Sequence, residues 1–256
     1  MNNIYILDAL DERNAIIKDE LTRMGCTVYE FLPDLLPVFD TENCRYIYIL
    51  SPRFSDTYPC ATTFAPNSTV LYFNLPSNTL TLLDALKCKA VQLTKIEAFT
   101  YANSRLTAEG ALLYALNENV LSLAEQNCLI LGFGHLGKAL LSVFKPHCPN
   151  ITVAARADAQ LAEAEFLGAD TILINDLAEK IGSFDIIINT IPAHIFKKPI
   201  NLAKNCRILE LASNIYPFDY DELKKQNIKF HILKALPSKT FKLSAARLLL
   251  KQILLF

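Results

Sequence analysis

Apolar residues in this chain fall into short runs separated by longer segments of helical spacing, and that alternation occurs twice. Residues 3–7 form an apolar run of strand length. Residues 8–24 follow, with Ile16, Ile17, Leu21 and Met24 on one side of a helix and Gly25 placed to end it. Residues 26–32 are β-branched and aromatic, and 46–50 read YIYIL, so both predict strands. Residues 51–67 are polar, proline-bearing and aperiodic, which predicts a long loop. Residues 69–73 predict a strand, 79–86 a short helix and 89–93 an edge strand. Such alternation predicts a small α/β domain with a parallel sheet. Its turn at 7–11 has no glycine, so nucleotide binding is not expected there.

Residues 97–106 read as a connector, and 107–117, TAEGALLYALN, as a helix. Thr107 is a candidate cap, with Glu109 in the first turn, where a carboxylate favours the helix dipole. The second alternation then begins. Strands are expected at 128–131, 151–155, 171–174, 185–190, 207–211 and 229–233. Between them, helical segments are expected at 136–144, 161–167, 177–181 and 220–226. Residues 244–256 close the chain as an amphipathic helix, with Leu248, Leu249, Ile253 and Leu254 on its apolar face. Six strands after residue 127 suit a doubly wound dinucleotide-binding sheet.

The chemistry concentrates at 127–138, NCLILGFGHLGK. An apolar strand leads into Gly132, Gly134 and Gly137, and an apolar helix follows. This is G-x-G-x-x-G between a strand and a helix, the context that gives the pattern meaning. The first glycine permits the turn, the second admits a pyrophosphate, and the third lets the helix approach the strand. The helix start then faces the phosphates with free N–H groups. The chain has only 7 glycines, and three are in this turn. The plainer reading is an ordinary strand–helix turn.

Composition narrows the classes. At 256 residues and 52% hydrophobic, the chain can build one large or two medium cores. A net charge of −1 gives no support to nucleic-acid or membrane-surface binding. No apolar stretch has the length of a membrane span, and the acidic start does not read as a signal peptide. The 7 cysteines are scattered without C-x-x-C, so reduced thiols and a cytoplasmic location are expected. The 4 histidines lack metal-like spacing, so no metal site is expected.

In doubly wound sheets ligands sit beyond the carboxyl ends of the strands. That groups the turn Gly132, Phe133, Gly134, His135, Leu136, Gly137 with Ala155–Arg156, with Thr190, Ile191 and Pro192, and with Ala212 and Ser213. An NAD enzyme usually carries Asp or Glu about twenty residues past the fingerprint, for the ribose 2′-hydroxyl. This chain has Ala155, Arg156 and Ala157, and a guanidinium suits a 2′-phosphate, so NADP is expected, with NAD the alternative through Asp158. Thr190–Pro192 is a candidate wall beside the nicotinamide ribose, or only a strand end broken by proline. His194 and His231 are acid–base candidates with a structural reading beside them, and Lys239 is a candidate cation at the cleft mouth or a surface lysine.

Six blocks in order then carry a resemblance: NSRLTAEGA at 103–111, LGFGHLG at 131–137, VAAR at 153–156, DIIINTIPA at 185–193, LELAS at 209–213 and LP-S-K at 236–239. Together they resemble the dipicolinate synthase A chain, over about residues 100–256. The resemblance implies a smaller N-terminal domain before a Rossmann domain like that of 2-hydroxyacid dehydrogenases. It implies oxidation of a tetrahydrodipicolinate-type dicarboxylate to dipicolinate in sporulation, with NADP or NAD as acceptor. The partner it implies is a flavoprotein-like B subunit. The chain departs from the family pattern at 7–13, at 214–218 and at 235–247, all at the rim of the expected substrate cleft. On this chemistry Ser104, Arg105 and Thr107 are candidate substrate donors, Glu109 the proton acceptor and Lys239 a carboxylate anchor.

The expected architecture is therefore α/β: a doubly wound parallel Rossmann sheet preceded by a smaller flavodoxin-like α/β domain. The domains are expected at 1–103 and 104–256, the second including the linker helix 107–117. The closing helix 244–256 is a candidate to pack back on the first. A homo-oligomer is a further expectation. Rival readings are a dehydrogenase of another small carboxylic acid and a non-catalytic NADP-binding regulatory subunit.

Overall fold

A computed structural model describes residues 2–31, 39–58, 63–117, 121–196, 200–213 and 217–256. Leu32, part of the 51–67 segment and Asn214–Tyr216, expected at the rim, lie outside the described residues. The chain divides into two units, one of residues 1–103 with 237–256, the other of residues 104–236.

The first unit holds β1 (Asn2–Leu7), α1 (Glu12–Arg23), β2 (Thr27–Glu30), β3 (Cys44–Ile49), α2 (Phe54–Thr57), β4 (Thr69–Tyr72), α3 (Ser77–Ala85) and β5 (Lys89–Gln92). Its sheet is parallel throughout, in the order β2-β1-β3-β4-β5. Burial follows that order. All of β4 and the last four residues of β3 are buried, while the edge strands β2 and β5 have no buried residue. Central strands of a parallel sheet are covered on both faces and need apolar residues at every position, which TVLY and YIYI supply.

One helix bridges the division of the chain. α4 (Glu97–Asn117) begins ten residues before the expected start. Thr107 is therefore inside the helix rather than at its cap, and Glu109 is well past the first turn. The connector reading of 97–106 fails because Phe99 packs into the first unit's core while Ala108, Ala111 and Ala115 pack into the second's. Both ends of the helix are held by burial, which local periodicity does not reveal. The 51–67 segment likewise contains the short helix α2, anchored by buried Phe54.

The second unit continues with β6 (Cys128–Leu131), α5 (His135–Phe144), β7 (Ile151–Ala155), α6 (Asp158–Phe166), β8 (Asp170–Leu173), α7 (Leu177–Lys180), β9 (Ile186–Asn189), β10 (Arg207–Glu210), α8 (Tyr220–Lys225) and β11 (Lys229–Ile232). Its six strands are parallel in the order β11-β10-β9-β6-β7-β8. This is the Rossmann-like doubly wound order, reversing between β6 and β9. Strands β6, β9 and β10 are buried at every position. No disulfide joins the six described cysteines.

The short α9 (Leu236–Thr240) and then α10 (Lys242–Ile253) end the chain. Ala246, Leu249 and Ile253 of α10 enter the core formed by Ile17 and Leu21 of α1 and the β1–β3–β4 face. Lys242 pairs with Glu12 at the start of α1. No helix among the described residues is long and apolar enough to cross a membrane.

Candidate functional site

The turn after β6 is built around three glycines with three different surroundings. Gly132 has φ +93°, in the left-handed region that favours glycine. A Cβ there would also lie 2.5 Å from Thr190 Oγ1 and 2.9 Å from Ile191 Cγ1. A Cβ on Gly137 would lie 2.1 Å from the carbonyl oxygen of Gly132, so this glycine lets α5 rest on the turn. Among the described residues a Cβ on Gly134 would meet nothing within 4 Å. Space beside Gly134 is thus left open by the protein itself. Gly134 is also the N-cap of α5, and among the described residues no side chain caps this helix start. Its buried face, Gly137, Leu140, Leu141 and Phe144, holds α5 against the sheet.

The turn is tied to both neighbouring strands. Gly132 N donates to Ala154 O at 2.8 Å, and Thr190 N and Oγ1 donate to Leu131 O at 3.0 and 2.7 Å. Gln160 Nε2 of α6 donates to Phe133 O at 3.3 Å. Together these segments border a cleft of about 310 Å³ at the carboxyl ends of β6, β7 and β9. Gly132 through Leu136, Ala155, Arg156 and Thr190 through Pro192 all line it, as do Gln160 and Ile174. Gly137 is buried behind it, under the helix. Arg156 is exposed at the rim, and Asp158 is at the start of α6, where its charge suits the helix dipole. A larger hollow, about 500 Å³, lies at the opposite end of the sheet near Asn127, Asn150 and Asp170. Ligands of doubly wound sheets bind at the carboxyl ends, so the smaller cleft is the candidate site.

Sequence reasoning missed what stands behind this cleft. Glu210, at the end of β10, is fully buried. Its carboxylate accepts from Asn189 Nδ2 at 2.8 and 3.0 Å, from Ala212 N at 2.8 Å and from Tyr220 Oη at 2.6 Å. Burial pushes its carboxyl above the ordinary range, and the bonds from Tyr220, Asn189 and Ala212 pull it back only in part. A polar residue closing each of the apolar runs 186–189 and 207–210 was the available signal. Ala212 is buried with its N–H committed to Glu210, and Ser213 is exposed; neither lines the cleft.

The other candidates are scattered. On α4, Ser104 is buried, Arg105 exposed, and Thr107 and Glu109 half-buried; Glu109 accepts from Arg105 Nε at 3.0 Å. Lys239 is exposed on α9 and belongs to the other unit of the chain. His194 is exposed, and the His231 ring lies 6.1 Å from that of Tyr114.

Comparison with known proteins gives the architecture a context. No protein-family profile matches the chain. The dipicolinate synthase A chain of Bacillus subtilis is 29% identical over 153 residues, 59% of this chain. The chain is homologous to the dipicolinate synthase A-chain family. That match spans about half of the relative, 52% of its length. Two crystal structures extend the likeness in fold. The dipicolinate synthase A chain from Bacillus halodurans superposes with a TM-score of 0.78 at 19% identity, covering 99% of this chain and 96% of that one. Its counterpart from Bacillus subtilis superposes at 0.79 and 22% identity, covering 98% and 94%. A phosphoglycerate oxidoreductase from Rhizobium etli shares the fold more distantly, with a TM-score of 0.56 at 17% identity over 100% of this chain and 92% of that one.

Proposed function

We propose that this protein is a nicotinamide-dinucleotide-dependent oxidoreductase of the dipicolinate synthase A-chain type. The observation that carries the reading is the open space beside Gly134, at an uncapped helix start between two glycines the fold itself requires. A diphosphate would complete the first turn of α5, whose N–H groups and dipole favour an anion. Arg156 would pair with a 2′-phosphate at the rim, which makes NADP the preferred form over NAD. When bound, the nicotinamide supplies a hydride acceptor. Thr190–Pro192 forms the wall that orients it, and positioning is most of what the protein must contribute.

The first unit is proposed to be flavodoxin-like, because its 2-1-3-4-5 strand order is that of flavodoxin. The substrate proposed from homology is a tetrahydrodipicolinate-type dicarboxylate, oxidised to dipicolinate in sporulation by two successive two-electron steps, each giving one hydride to a nicotinamide acceptor and one proton to a base, with the dihydro compound between them. Glu109 is the proposed proton acceptor, Thr107 a donor to substrate, and Lys239 the anchor for one carboxylate. The partner proposed on the same ground is a flavoprotein-like B subunit, with the protein in the cytoplasm. The departures from the family pattern at 214–218 and 235–247 favour one second reading, a dehydrogenase of another small carboxylic acid.

Calorimetric titration with NADPH and NADH tests the cofactor. NADPH is expected to bind at least about tenfold more tightly, and Arg156→Ala to erase that preference, since one charge-assisted contact is worth more than about 1.4 kcal/mol. No heat with either nucleotide refutes the reading. Turnover of a freshly made dihydrodipicolinate precursor, with and without the flavoprotein-like partner, then tests the substrate. Glu109→Gln should abolish most turnover while leaving the NADPH titration unchanged.

A further inference from the structure

We infer that Glu210 is a positioning residue: its buried carboxylate fixes the Asn189–Pro192 turn as the nicotinamide-side wall of the cleft. The inference rests on the dinucleotide reading above. Glu210 and Asn189 are register partners on β10 and β9, and Asn189 is in turn the partner of Leu131, the last residue of β6. Asn189 clasps the turn from below. Its Nδ2 donates to Ile191 O at 3.1 Å, and its Oδ1 accepts from Ile191 N at 3.0 Å. Ile191 and Thr190 then lean on Gly132, at the place where a Cβ would collide with both.

An asparagine amide has two orientations, and only one makes this clasp. A carboxylate accepts and cannot donate, so Glu210 draws Nδ2 to itself and leaves Oδ1 facing Ile191 N. Ala212 N and Tyr220 Oη, also donors, hold the carboxylate in place. The three contacts from Asn189 Nδ2 and Ala212 N require an acceptor at position 210, whereas the Tyr220 hydroxyl could also accept. A glutamine there keeps the shape but sets an N–H against at least one of these donors, and the asparagine loses its reason to face one way. The affected wall follows β9. Ala155 ends β7 and Arg156 follows it, on the expected adenosine side across β6, and neither is among the hydrogen-bonding partners of Glu210 and Asn189 named above.

The test compares NADPH with adenosine 2′,5′-bisphosphate, which lacks the nicotinamide half. For Glu210→Gln the NADPH dissociation constant should rise about tenfold or more, while that of the bisphosphate stays within about twofold. Amide exchange by NMR should be about tenfold faster at Ile191 and unchanged at Leu129 and Ile130 in the core of β6. Equal losses for both ligands, no loss for either, or exchange raised evenly through the sheet would overturn the assignment, since a merely stabilising residue behaves in one of those ways. Should this variant not fold, Tyr220→Phe removes one of the donors and keeps the ring. It should weaken NADPH by about threefold and the bisphosphate not at all, and equal effects overturn the assignment. If the unaltered protein binds neither ligand, the dinucleotide reading falls. Exchange at Ile191 then decides the clasp alone: faster in the variant supports it, unchanged refutes it.

Discussion

Both parallel sheets reverse their strand order once, between β1 and β3 in the first unit and between β6 and β9 in the second, and the two reversal points are finished in opposite ways. In the first, the chain leaves β1 through Asp8, whose side chain turns inward. Its Oδ2 accepts from Ser51 N at 2.6 Å and its Oδ1 from Leu10 N at 3.0 Å. Asn14 of α1 donates to Asp8 O at 2.9 Å, and Arg53 donates to Leu10 O. Asp11 caps α1 and pairs with the buried Arg13 at 2.6 Å. Ser51 Oγ lies close enough to ease the charge on Asp8, yet makes no hydrogen bond of good geometry. The backbone donors that a ligand would use at this crevice are occupied by a carboxylate from the chain itself. In the second unit the same place carries glycine, and the helix start is left uncapped. One architecture thus yields either an internally closed crevice or an open one, and the residue leaving the first strand decides which.

The comparison breaks most visibly at Gly137. Gly137→Ala places a methyl against the Gly132 carbonyl, so the second unit should lose upwards of about 3 kcal/mol, read by urea unfolding. A loss below about 1 kcal/mol, on the same scale, would mean that the turn tolerates a wider gap than its geometry shows. Asp8→Ala should cost about 2 kcal/mol, because two buried N–H groups lose their acceptor. An unchanged unfolding midpoint would sink the idea that Asp8 closes the first crevice.

Gly134→Ala separates fold from ligand. It should leave stability within about 0.5 kcal/mol, since the new methyl meets no protein atom, yet weaken NADPH by at least about tenfold. Undiminished affinity would remove the diphosphate from this turn.

The smallest effect is a pH dependence. Burial raises the Asp8 carboxyl above its ordinary 3.8, against the bonds from Ser51 and Leu10. The folded chain therefore holds this proton more tightly than the unfolded one. Its contribution to stability is complete below 3.8 and is lost as pH rises through the raised value. Asp8→Asn cannot titrate, so the stability gap between the unaltered protein and this variant should narrow as pH increases from 3.8. Unfolding midpoints measured across that range check it, and a constant gap refutes it.

Much of the second unit was legible because its signals are local. A four-residue apolar strand, three spaced glycines and an apolar helix follow one another directly, and each constrains the backbone at its own position. The central parallel strands announced themselves in the same way, as short apolar runs. Helix α4 was misjudged because nothing local says that Phe99 and Ala108 are both buried, in different cores. The polar residues behind the cleft were also hidden. Glu210 finds its acceptor role through Asn189, 21 residues earlier, and Tyr220, 10 residues later. A polar residue closing an apolar run marks the position, but LELAS does not say which donors would surround that carboxylate.

By itself the sequence determined where the chain turns into strand and helix, and where the backbone must be glycine. Those are properties of neighbouring residues, set by side-chain period and allowed dihedral angles. Only the tertiary structure decided which carboxylates are drawn inside, Asp8 at the first reversal point and Glu210 on β10 beside the second, and whether α10, a candidate for it, returns to the sheet where the chain began. Both depend on partners far away in sequence, and the free energy of a buried charge is set by the donors that surround it once the fold is complete.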